Sequence, residues 1–362
     1  MTERFPLLNL PTVAFDVFYK FLTIEEVIQL AQCSSTLQSI IKTSKTRLKT
    51  AKLDISLTTS QCSLFIEAAN HDRMNWYLGN QRNKMLASSK SRYNWRISKD
   101  VTLKVSRDRI RWFFEPQTSS SYEQDFILLV QWLCKTLGCK INSLSFNCQG
   151  NFNFYKLFGE TNVLHKARAI NVYRCAFSKE EMAFMFDNFD TEDLMFMGYG
   201  GLDFVYQKPL NFPKLILCHA TWITGKSFLD LGNTCKNVRL ENALAITETD
   251  CNQFIKNWLS SDNKSLEVMI VNKNSLFCND LGEETEQTPF EREKILEGIA
   301  TRPGSRRDVK PDRNFLHAFR FENGVDIQRD DGLLASVVVT SDGIFHCFVF
   351  VVWHDKKLLV DE

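Results

Sequence analysis

The chain has 362 residues, of which 44% are hydrophobic and 24% charged, and this balance predicts a folded protein of one large domain or two ordinary ones. Its 44 basic and 43 acidic residues give a net charge of +1, which excludes a general electrostatic attraction to nucleic acid or anionic membranes. No apolar run reaches the roughly 18 residues of a membrane span, and no secretory leader pattern follows Met1. We therefore expect a cytoplasmic and/or nuclear protein with no membrane partner.

The 11 cysteines are scattered, and no two of them form a Cys-x-x-Cys motif. This distribution favours reduced, mostly buried thiols over a disulfide framework. No group of His and Cys has the spacing of a zinc site. We predict neither a metal nor a cofactor.

The first 48 residues predict three short helices, at about 11–22, 24–33 and 35–47. Pro11 suits a helix start, because its missing N–H has no partner there in any case. Thr23 with Glu26, and Ser35 with Gln38, have the spacing of capping boxes. The first helix is apolar almost all round, which predicts burial on more than one side.

These residues resemble an F-box. The resemblance lies in Phe5-Pro-Leu-Leu-Asn-Leu-Pro11, Val17-Phe18 to Phe21-Leu22, Glu25-Glu-Val-Ile-Gln-Leu30 and Cys33-Ser34. It implies binding to a Skp-type adaptor, which bridges to a cullin scaffold. By position, it implies adaptor contacts for Leu10, Pro11, Phe18, Leu22 and Leu30.

One departure from the F-box pattern lies in the third helix, where Thr36-Leu-Gln38 replaces the Lys-x-Trp feature of many F-boxes. This departure would weaken adaptor binding. The alternative is a small helical cap on the next domain, with no adaptor.

Residues 49–135 are predicted to be a connecting region with a hairpin and a helix. Basic residues interleave with aromatic ones between Gln81 and Arg111, a pattern that nucleic-acid-binding segments share. The alternation of Val101, Leu103 and Val105 with polar residues favours instead an amphipathic hairpin with a solvated charged face. Nucleic acid is therefore not an expected partner.

Short apolar triplets recur through residues 136–275, at steps close to the roughly 20–29 residues of leucine-rich repeats. They are Leu144-Ser-Phe146, Ile170-Asn-Val172, Leu194-Met-Phe196, Leu215-Ile-Leu217, Val238-Arg-Leu240 and Val268-Met-Ile270. Helices are predicted between them, as at Ser178–Asp187 and Thr249–Leu259. We expect an irregular, leucine-rich-repeat-like α/β solenoid whose sheet offers a protein-binding surface.

Residues 276–362 predict a C-terminal antiparallel β-meander. Asn323-Gly324, Asp331-Gly332 and Asp342-Gly343 punctuate its apolar runs, and such pairs favour the positive φ of tight hairpin turns. The overall fold class is therefore α/β, or α+β overall, with the helical segment first and the meander last.

The segment from about 220 to 354 resembles the F-box-associated type 2 domain. The resemblance lies in Phe254-Ile-Lys-Asn-Trp-Leu259, Asn263-Lys-Ser-Leu-Glu267, Asp326-Ile-Gln-Arg-Asp-Asp-Gly332 and Phe350-Val-Val-Trp353. It implies a non-enzymatic substrate-recognition subunit of an SCF-type ubiquitin ligase, which presents a target protein of unknown identity.

Two other functions compete with this one. An F-box and repeat protein can bind its partners without any ligase role. More remotely, Ala220-Thr-Trp-Ile-Thr-Gly-Lys-Ser227 fits a relaxed P-loop, in which Lys226 would reach phosphates and Ser227 would hold Mg²⁺. The bulky Trp222 and Ile223 argue against a phosphate cradle, and we expect Gly232 to cut the following helix short.

Overall fold

A computed structural model describes residues 11–19, 21–43, 51–58, 61–68, 73–79, 91–97, 102–107, 111–115, 122–147, 158–159, 163–200, 203–274, 288–304, 324–340 and 346–354. The chain forms two compact units, Met1–Cys175 and Ala176–Glu362. Each unit contains helices and a sheet, so the mixed α/β class is confirmed. No helix within the described ranges is both long and apolar enough to cross a bilayer.

The first unit contains four α-helices and eight strands among its described residues. The helices are α1 Thr12–Tyr19, α2 Ile24–Cys33, α3 Ser35–Thr43 and α4 Tyr122–Leu137. The strands are β1 Lys52–Thr58, β2 Gln61–Glu67, β3 Arg73–Gly79, β4 Ser91–Arg96, β5 Thr102–Arg107, β6 Arg111–Glu115, β7 Lys140–Asn147 and β8 Ala169–Ala176.

The sheet of this unit has the order β8-β7-β1-β2-β3-β6-β5-β4. β7 is parallel to both β1 and β8, and β3 is parallel to β6, whereas the other neighbours are antiparallel. Side chains alternate between faces along a strand, and in β1 the residues Leu53, Ile55 and Leu57 are the buried set.

The predicted hairpin of the basic stretch corresponds to β4 and β5, which pair antiparallel. Leu103 and Val105 are buried while Lys104 between them is exposed. Trp95 is buried against Trp76, with ring centroids 5.5 Å apart, so its faces are not available for stacking on bases. Val101 lies outside the described residues.

The N-terminal helices differ from their predicted bounds in two places. α1 ends at Tyr19 rather than at residue 22, because the chain must turn before α2. The N–H groups of Phe21 and Leu22 donate three residues back, to Phe18 and Tyr19, at 3.1 and 3.3 Å. α3 is described as far as Thr43, and residues 44–47 lie outside the described ranges.

The second capping box was predicted one residue too late. Ser34 accepts a hydrogen bond from the Leu37 N–H at 3.1 Å and is the cap of α3, which begins at Ser35. The Gln38 amide, the predicted partner of Ser35, instead donates to Thr136 in α4 at 3.0 Å. Because the Gln38 amide is used in this contact with α4, it does not complete the capping box that was predicted with Ser35.

The second unit contains four α-helices and eight strands among its described residues. The helices are α5 Lys179–Asn188, α6 Gly225–Thr234, α7 Glu248–Ser260 and α8 Arg292–Ile295. The strands are β9 Asp193–Tyr199, β10 Lys214–Leu217, β11 Asn237–Glu241, β12 Val268–Asn272, β13 Arg302–Pro303, β14 Val325–Gln328, β15 Leu334–Thr340 and β16 Cys347–Trp353.

The sheet of this unit combines a parallel and an antiparallel part. β9, β10, β11 and β12 are parallel neighbours. β16 pairs antiparallel with β12, and β15, β14 and β13 follow it outward, each antiparallel to the last.

All six predicted triplets lie in strands, but the leucine-rich-repeat architecture stays a prediction. Gly332 turns between β14 and β15 with φ +85°, and Asn323 and Asp342 lie outside the described residues.

Candidate protein-interaction surface

α1 is the first described element of the chain, and it begins at a proline. The Pro11 carbonyl accepts the first helical hydrogen bond, from the Phe15 N–H at 3.0 Å. Pro11 is therefore the N-cap residue of α1, whereas the sequence predicted it as the first residue of the helix. At either position its missing N–H costs no hydrogen bond. Its side chain is exposed.

One face of α1 is buried. Phe15 and Tyr19, four residues apart and hence on one side of the helix, are each 1% exposed, and their ring centroids lie 4.7 Å apart. Burial raises the pKa of the Tyr19 hydroxyl well above its ordinary value. This face anchors α1 in the first unit.

The opposite face of α1 is apolar and exposed. Val13 and Val17 are 75% and 48% exposed, and Phe21, which continues the four-residue spacing into the turn, is 81% exposed. We call Val13, Val17 and Phe21 the α1 stripe. Large apolar side chains grouped in this way on a folded surface mark a binding site for another macromolecule.

The turn after α1 is fixed by the predicted capping box at the start of α2. The Glu26 carboxylate accepts from the Thr23 N–H at 2.7 Å, and the Glu26 N–H donates to the Thr23 hydroxyl at 3.2 Å. These bonds hold the start of α2 two residues beyond Phe21. They therefore define where the stripe ends.

The stripe helix belongs to a segment that is tied to the rest of the first unit. α2 packs against α3 and β3, and α3 packs against α4. The Gln32 side chain of α2 accepts a hydrogen bond from the Arg96 N–H of β4 at 2.8 Å. The two helices that follow the stripe are therefore packed into the first unit.

The five predicted adaptor contacts are only partly on this surface. Pro11 is exposed, whereas Phe18, Leu22 and Leu30 are half-buried, and Leu10 lies outside the described residues. The sequence analysis predicted a first helix that is apolar almost all round and placed Val17 and Phe21 in the F-box resemblance, but it predicted none of the three stripe residues as a contact. The four-residue spacing of Val13, Val17 and Phe21, opposite Phe15 and Tyr19, is the signal that distinguishes them.

The second unit offers a βαβ module rather than a helical surface. α6 connects β10 to β11 and α7 connects β11 to β12, so the three parallel strands are joined by two crossovers. Phe254 of α7 packs against Phe228 of α6 and Phe350 of β16, with ring centroids 5.2 and 5.1 Å apart. These aromatic contacts join the two helices to the sheet.

The P-loop-like segment does not have the geometry of a phosphate cradle. Three of its N–H groups already have acceptors: Ala220 donates to the Glu241 carbonyl, Ile223 to the Ala220 carbonyl, and Ser227 to the Thr224 side chain. The prediction that Gly232 would cut the helix short is wrong, because α6 spans ten residues and contains it. Gly232 is present because an added Cβ would lie 2.6 Å from the Phe254 ring.

The start of α6 is also closed by a carboxylate. A Cβ at Gly225 would lie 2.0 Å from an oxygen of Asp250, so Asp250 lies against the backbone where a phosphate would have to approach. Two negative groups at one place repel each other. Both observations argue against nucleotide binding at Lys226 and Ser227.

The described thiols are mostly buried and unreactive. Burial raises the pKa of Cys134 to about 11 and that of Cys139 to about 12, so both remain protonated at neutral pH. Within the described part of the chain, no group of three or more His, Cys, Asp or Glu residues could hold a metal ion.

Comparison with known proteins supports part of the sequence interpretation. A family model described as F-box associated matches residues 206–271, which span β10, α6, β11, α7 and most of β12. No curated protein and no solved structure matches the chain. The matched segment lies in the second unit, and it overlaps the region of the predicted resemblance, about 220–354, over residues 220–271. The resemblance of the first 48 residues to an F-box stays a prediction.

Proposed function

We propose that the chain is a substrate-recognition subunit of an SCF-type ubiquitin ligase. In this proposal the α1 stripe docks a Skp-type adaptor, which links to a cullin, and the second unit holds a target protein. The observation that carries the proposal is the exposed apolar stripe on α1. The F-box-associated match in the second unit supports the same context.

The stripe has the chemistry that a protein partner needs. Fully burying a side chain such as Val or Phe stabilises a complex by about 1.5–3 kcal/mol before the cost of association is subtracted. Three such residues supply a hydrophobic centre, and interfaces concentrate their affinity in a few buried anchors. Phe21, the largest and most exposed of the three, is the expected main anchor.

The proposed mechanism needs no catalytic residue in this chain. One partner is held at α1 and a target is held by the second unit, so the chain connects the two. Tethering raises the effective concentration of target lysines near a conjugating enzyme elsewhere in the complex. The target is ubiquitinated because it is held close.

The test is co-purification of the full chain with a Skp-type adaptor. We expect stable binding by the wild type and loss of binding in Val17→Asp/Phe21→Ser, because the double variant puts a charge and a hydroxyl into the buried centre of the interface. Val205→Asp is the matched control, since Val205 is also an exposed apolar residue, at 64%, but lies in the second unit.

Two outcomes would contradict the proposal. If the folded wild type does not bind the adaptor, the three helices act as a cap on the first unit. If the adaptor binds but a cullin does not join the complex, the chain is an adaptor-bound interaction protein without a ligase role. A cullin pull-down on the same sample separates these results.

A further inference from the structure

One face of the sheet in the first unit is polar and partly exposed. Along the neighbouring strands β8, β7, β1, β2 and β3, buried apolar side chains alternate with more exposed, mostly polar ones. In β1, for example, Leu53 and Ile55 are buried, whereas Asp54 and Ser56 are half-buried. We call the more exposed side of these five strands the open face. A solvated sheet face of this kind is available to a ligand.

Four exposed cations lie along one edge of the open face. Lys52 begins β1 and Lys140 begins β7, and the two residues are direct partners in the parallel register. Arg73 begins β3 on one side of them. On the other side Arg168 directly precedes β8, and its N–H donates to the Ile141 carbonyl at 3.1 Å. Neighbouring strands lie about 4.8 Å apart, so this basic row of Arg73, Lys52, Lys140 and Arg168 spans roughly 20 Å.

The positive charge of the basic row is only partly balanced by neighbouring carboxylates. Glu67 lies between Lys52 and Arg73 in the register, and Arg73 binds it at 2.7 Å. Asp54, in the next row of the open face, accepts hydrogen bonds from two neutral side chains of β7 at 2.8 and 2.6 Å. Within the described part of the chain, Lys52 and Lys140 form no ion pair. Two like charges side by side destabilise a sheet, and a bound anion would remove this repulsion.

Beyond the basic row, the open face carries aromatic rings and small hydrogen-bonding groups. Phe65 of β2 is half-buried, and the Arg73 guanidinium carbon lies 5.9 Å from its ring centroid. In the next row Tyr77 of β3, also half-buried, is paired with Ser63. On the other side of Ser63 this row continues with Ser56, Ser145 and Asn171. Aromatic rings stack on bases, and hydroxyl and amide groups bind base edges and ribose hydroxyls.

We propose that the open face binds single-stranded RNA, with the phosphates along the basic row and the bases over Phe65 and Tyr77. The charges are complementary, because each nucleotide carries one negative phosphate. An acidic protein segment would use the cations but would leave the rings and the row of hydroxyl and amide groups without a role. Duplexes keep their bases stacked on each other. The hydroxyl and amide row favours RNA over DNA, because the 2′-hydroxyl both donates and accepts hydrogen bonds.

This inference goes beyond the proposed ligase function and does not depend on it. It also concerns other strands than β4 and β5, the basic hairpin from which the sequence analysis expected no binding to nucleic acid. The net charge of +1 excludes a general attraction to nucleic acid, but it does not exclude a local one. The positive charge of the open face is concentrated at a single edge, where a chain of phosphates can follow it.

The experiment is a binding titration with the full chain, followed by fluorescence anisotropy. The probe is a fluorescein-labelled oligouridine RNA of about ten nucleotides, within the usual site sizes of single-strand binding surfaces. We expect saturable binding at low salt, with a log Kd that rises linearly with the log of the salt concentration. Each neutralised phosphate of a single strand contributes about 0.7 to this slope, so four cations predict a slope of roughly 3.

Two variants separate the phosphate contacts from the base contacts. Lys52→Gln/Lys140→Gln should raise the Kd at low salt and lower the slope by about 1.4, because two phosphate contacts are lost. Phe65→Leu should raise the Kd about tenfold and leave the slope unchanged, because it removes a ring that stacks on a base but no charge.

Lys42→Gln/Lys135→Gln is the matched control. It removes the same charge from two exposed residues of the same unit, which lie on α3 and α4 and not on the open face. It should leave the slope unchanged and the Kd within about twofold, because charges farther away than a Debye length are largely screened. Unchanged thermal unfolding of each variant ensures that a lost signal reports the binding surface.

Four results would overturn the inference. The folded wild type does not bind the RNA, or the two double lysine variants weaken binding equally. Polyglutamate competes as well as unlabelled oligouridine, which would indicate a site for an acidic protein segment. Oligodeoxyuridine of the same length binds with the same affinity, which would refute the assignment to RNA.

The adaptor experiment is independent of these outcomes, because it concerns the α1 stripe. Val17→Asp/Phe21→Ser should keep the RNA affinity of the wild type, and Lys52→Gln/Lys140→Gln should still bind the adaptor. RNA binding without adaptor binding would refute the ligase role alone, and the reverse result would refute the open face alone.

Discussion

Gly232 permits the contact between α6 and α7. A Cβ there would lie 2.6 Å from Phe254, whose ring is held by Phe228, Phe348 and Phe350 and so cannot move aside. Gly232→Ala gains helix propensity of roughly 1 kcal/mol but overpacks this cluster. We expect a net loss of about 1–3 kcal/mol in the free energy of unfolding, measured by urea denaturation.

Gly159→Ala is the control for this substitution, because a Cβ at Gly159 would meet no atom within 4 Å. Its free energy of unfolding should equal or exceed that of the wild type. If Gly232→Ala were as stable as this control, the inferred clash between a Cβ at position 232 and the Phe254 ring would be wrong.

Protonation of Asp331 should lower the free energy of unfolding. The buried Arg329 guanidinium donates to its two carboxylate oxygens at 3.0 and 2.8 Å, and this contact, with the Leu333 N–H, holds the pKa of Asp331 well below its ordinary value. A carboxyl whose pKa is lowered by folding stabilises the fold above its unfolded-state pKa. That stabilisation is lost as the pH falls toward the folded-state pKa.

Asp331→Asn should therefore be less stable than the wild type at neutral pH, and the difference should shrink as the pH falls below the ordinary value of 3.8. Urea unfolding at a series of pH values measures it. Asp330→Asn, which leaves the Arg329 pair intact, should show no such convergence. A difference that is constant with pH would show that the Asp331 charge is not the cause.

Residue-scale features were predictable only where the partners are close in sequence. The bond between Thr23 and Glu26 spans three residues, so the capping box could be read directly and is confirmed. The contacts of Gly232 with Phe254 and of Gly225 with Asp250 span more than twenty residues. Without the fold, Gly232 could only be interpreted as a helix breaker.

The start of α3 provides a test with two adjacent serines. Ser34 accepts from the Leu37 N–H, whereas Ser35 is an exposed residue inside the helix. Ser34→Ala should lower the free energy of unfolding by about 1 kcal/mol, as for other lost helix caps, and Ser35→Ala should have almost no effect. Chemical denaturation of both variants measures the difference. If Ser35→Ala lowered the free energy of unfolding more than Ser34→Ala, the result would support the predicted capping box at Ser35.

Some strands were predictable as elements, such as those of the six apolar triplets, whereas β1, β2, β3 and β6 lie in a region for which only one hairpin was predicted, and the register of the strands was not predictable. Buried side chains at alternate positions, as in Leu144 and Phe146, indicate a strand from sequence alone. The parallel pairing of β1 with β7 shifts register between Leu53 and Asp54. At this point the Asp54 carboxylate accepts hydrogen bonds from Asn142 and Ser143 at 2.8 and 2.6 Å. These partners are almost ninety residues away in sequence, so no local pattern indicates the bulge.

At the scale of the whole molecule, the α1 stripe and the family-matched segment belong to different compact units. The α1 stripe lies in the first unit, and residues 206–271 lie in the second. The composition predicted an ordinary folded protein with nearly balanced charge, and the apolar helix predicted a second contact face. The pairing of β13 with β14 could not be predicted, because Arg302 and Asp326, which face each other in it, are 24 residues apart in sequence.

The antiparallel pairing of β12 with β16 has a consequence for biosynthesis. β12 ends at Asn272, and its partner begins at Cys347, so 74 residues must be translated between them. Until the ribosome has released β16, one edge of β12 and its apolar side chains, such as Ile270, have no partner strand. Exposed strand edges of this kind promote aggregation, so the nascent chain is vulnerable during this interval. A premature stop that removes β16 should make the nascent polypeptide dependent on chaperones even though the family-matched segment is complete.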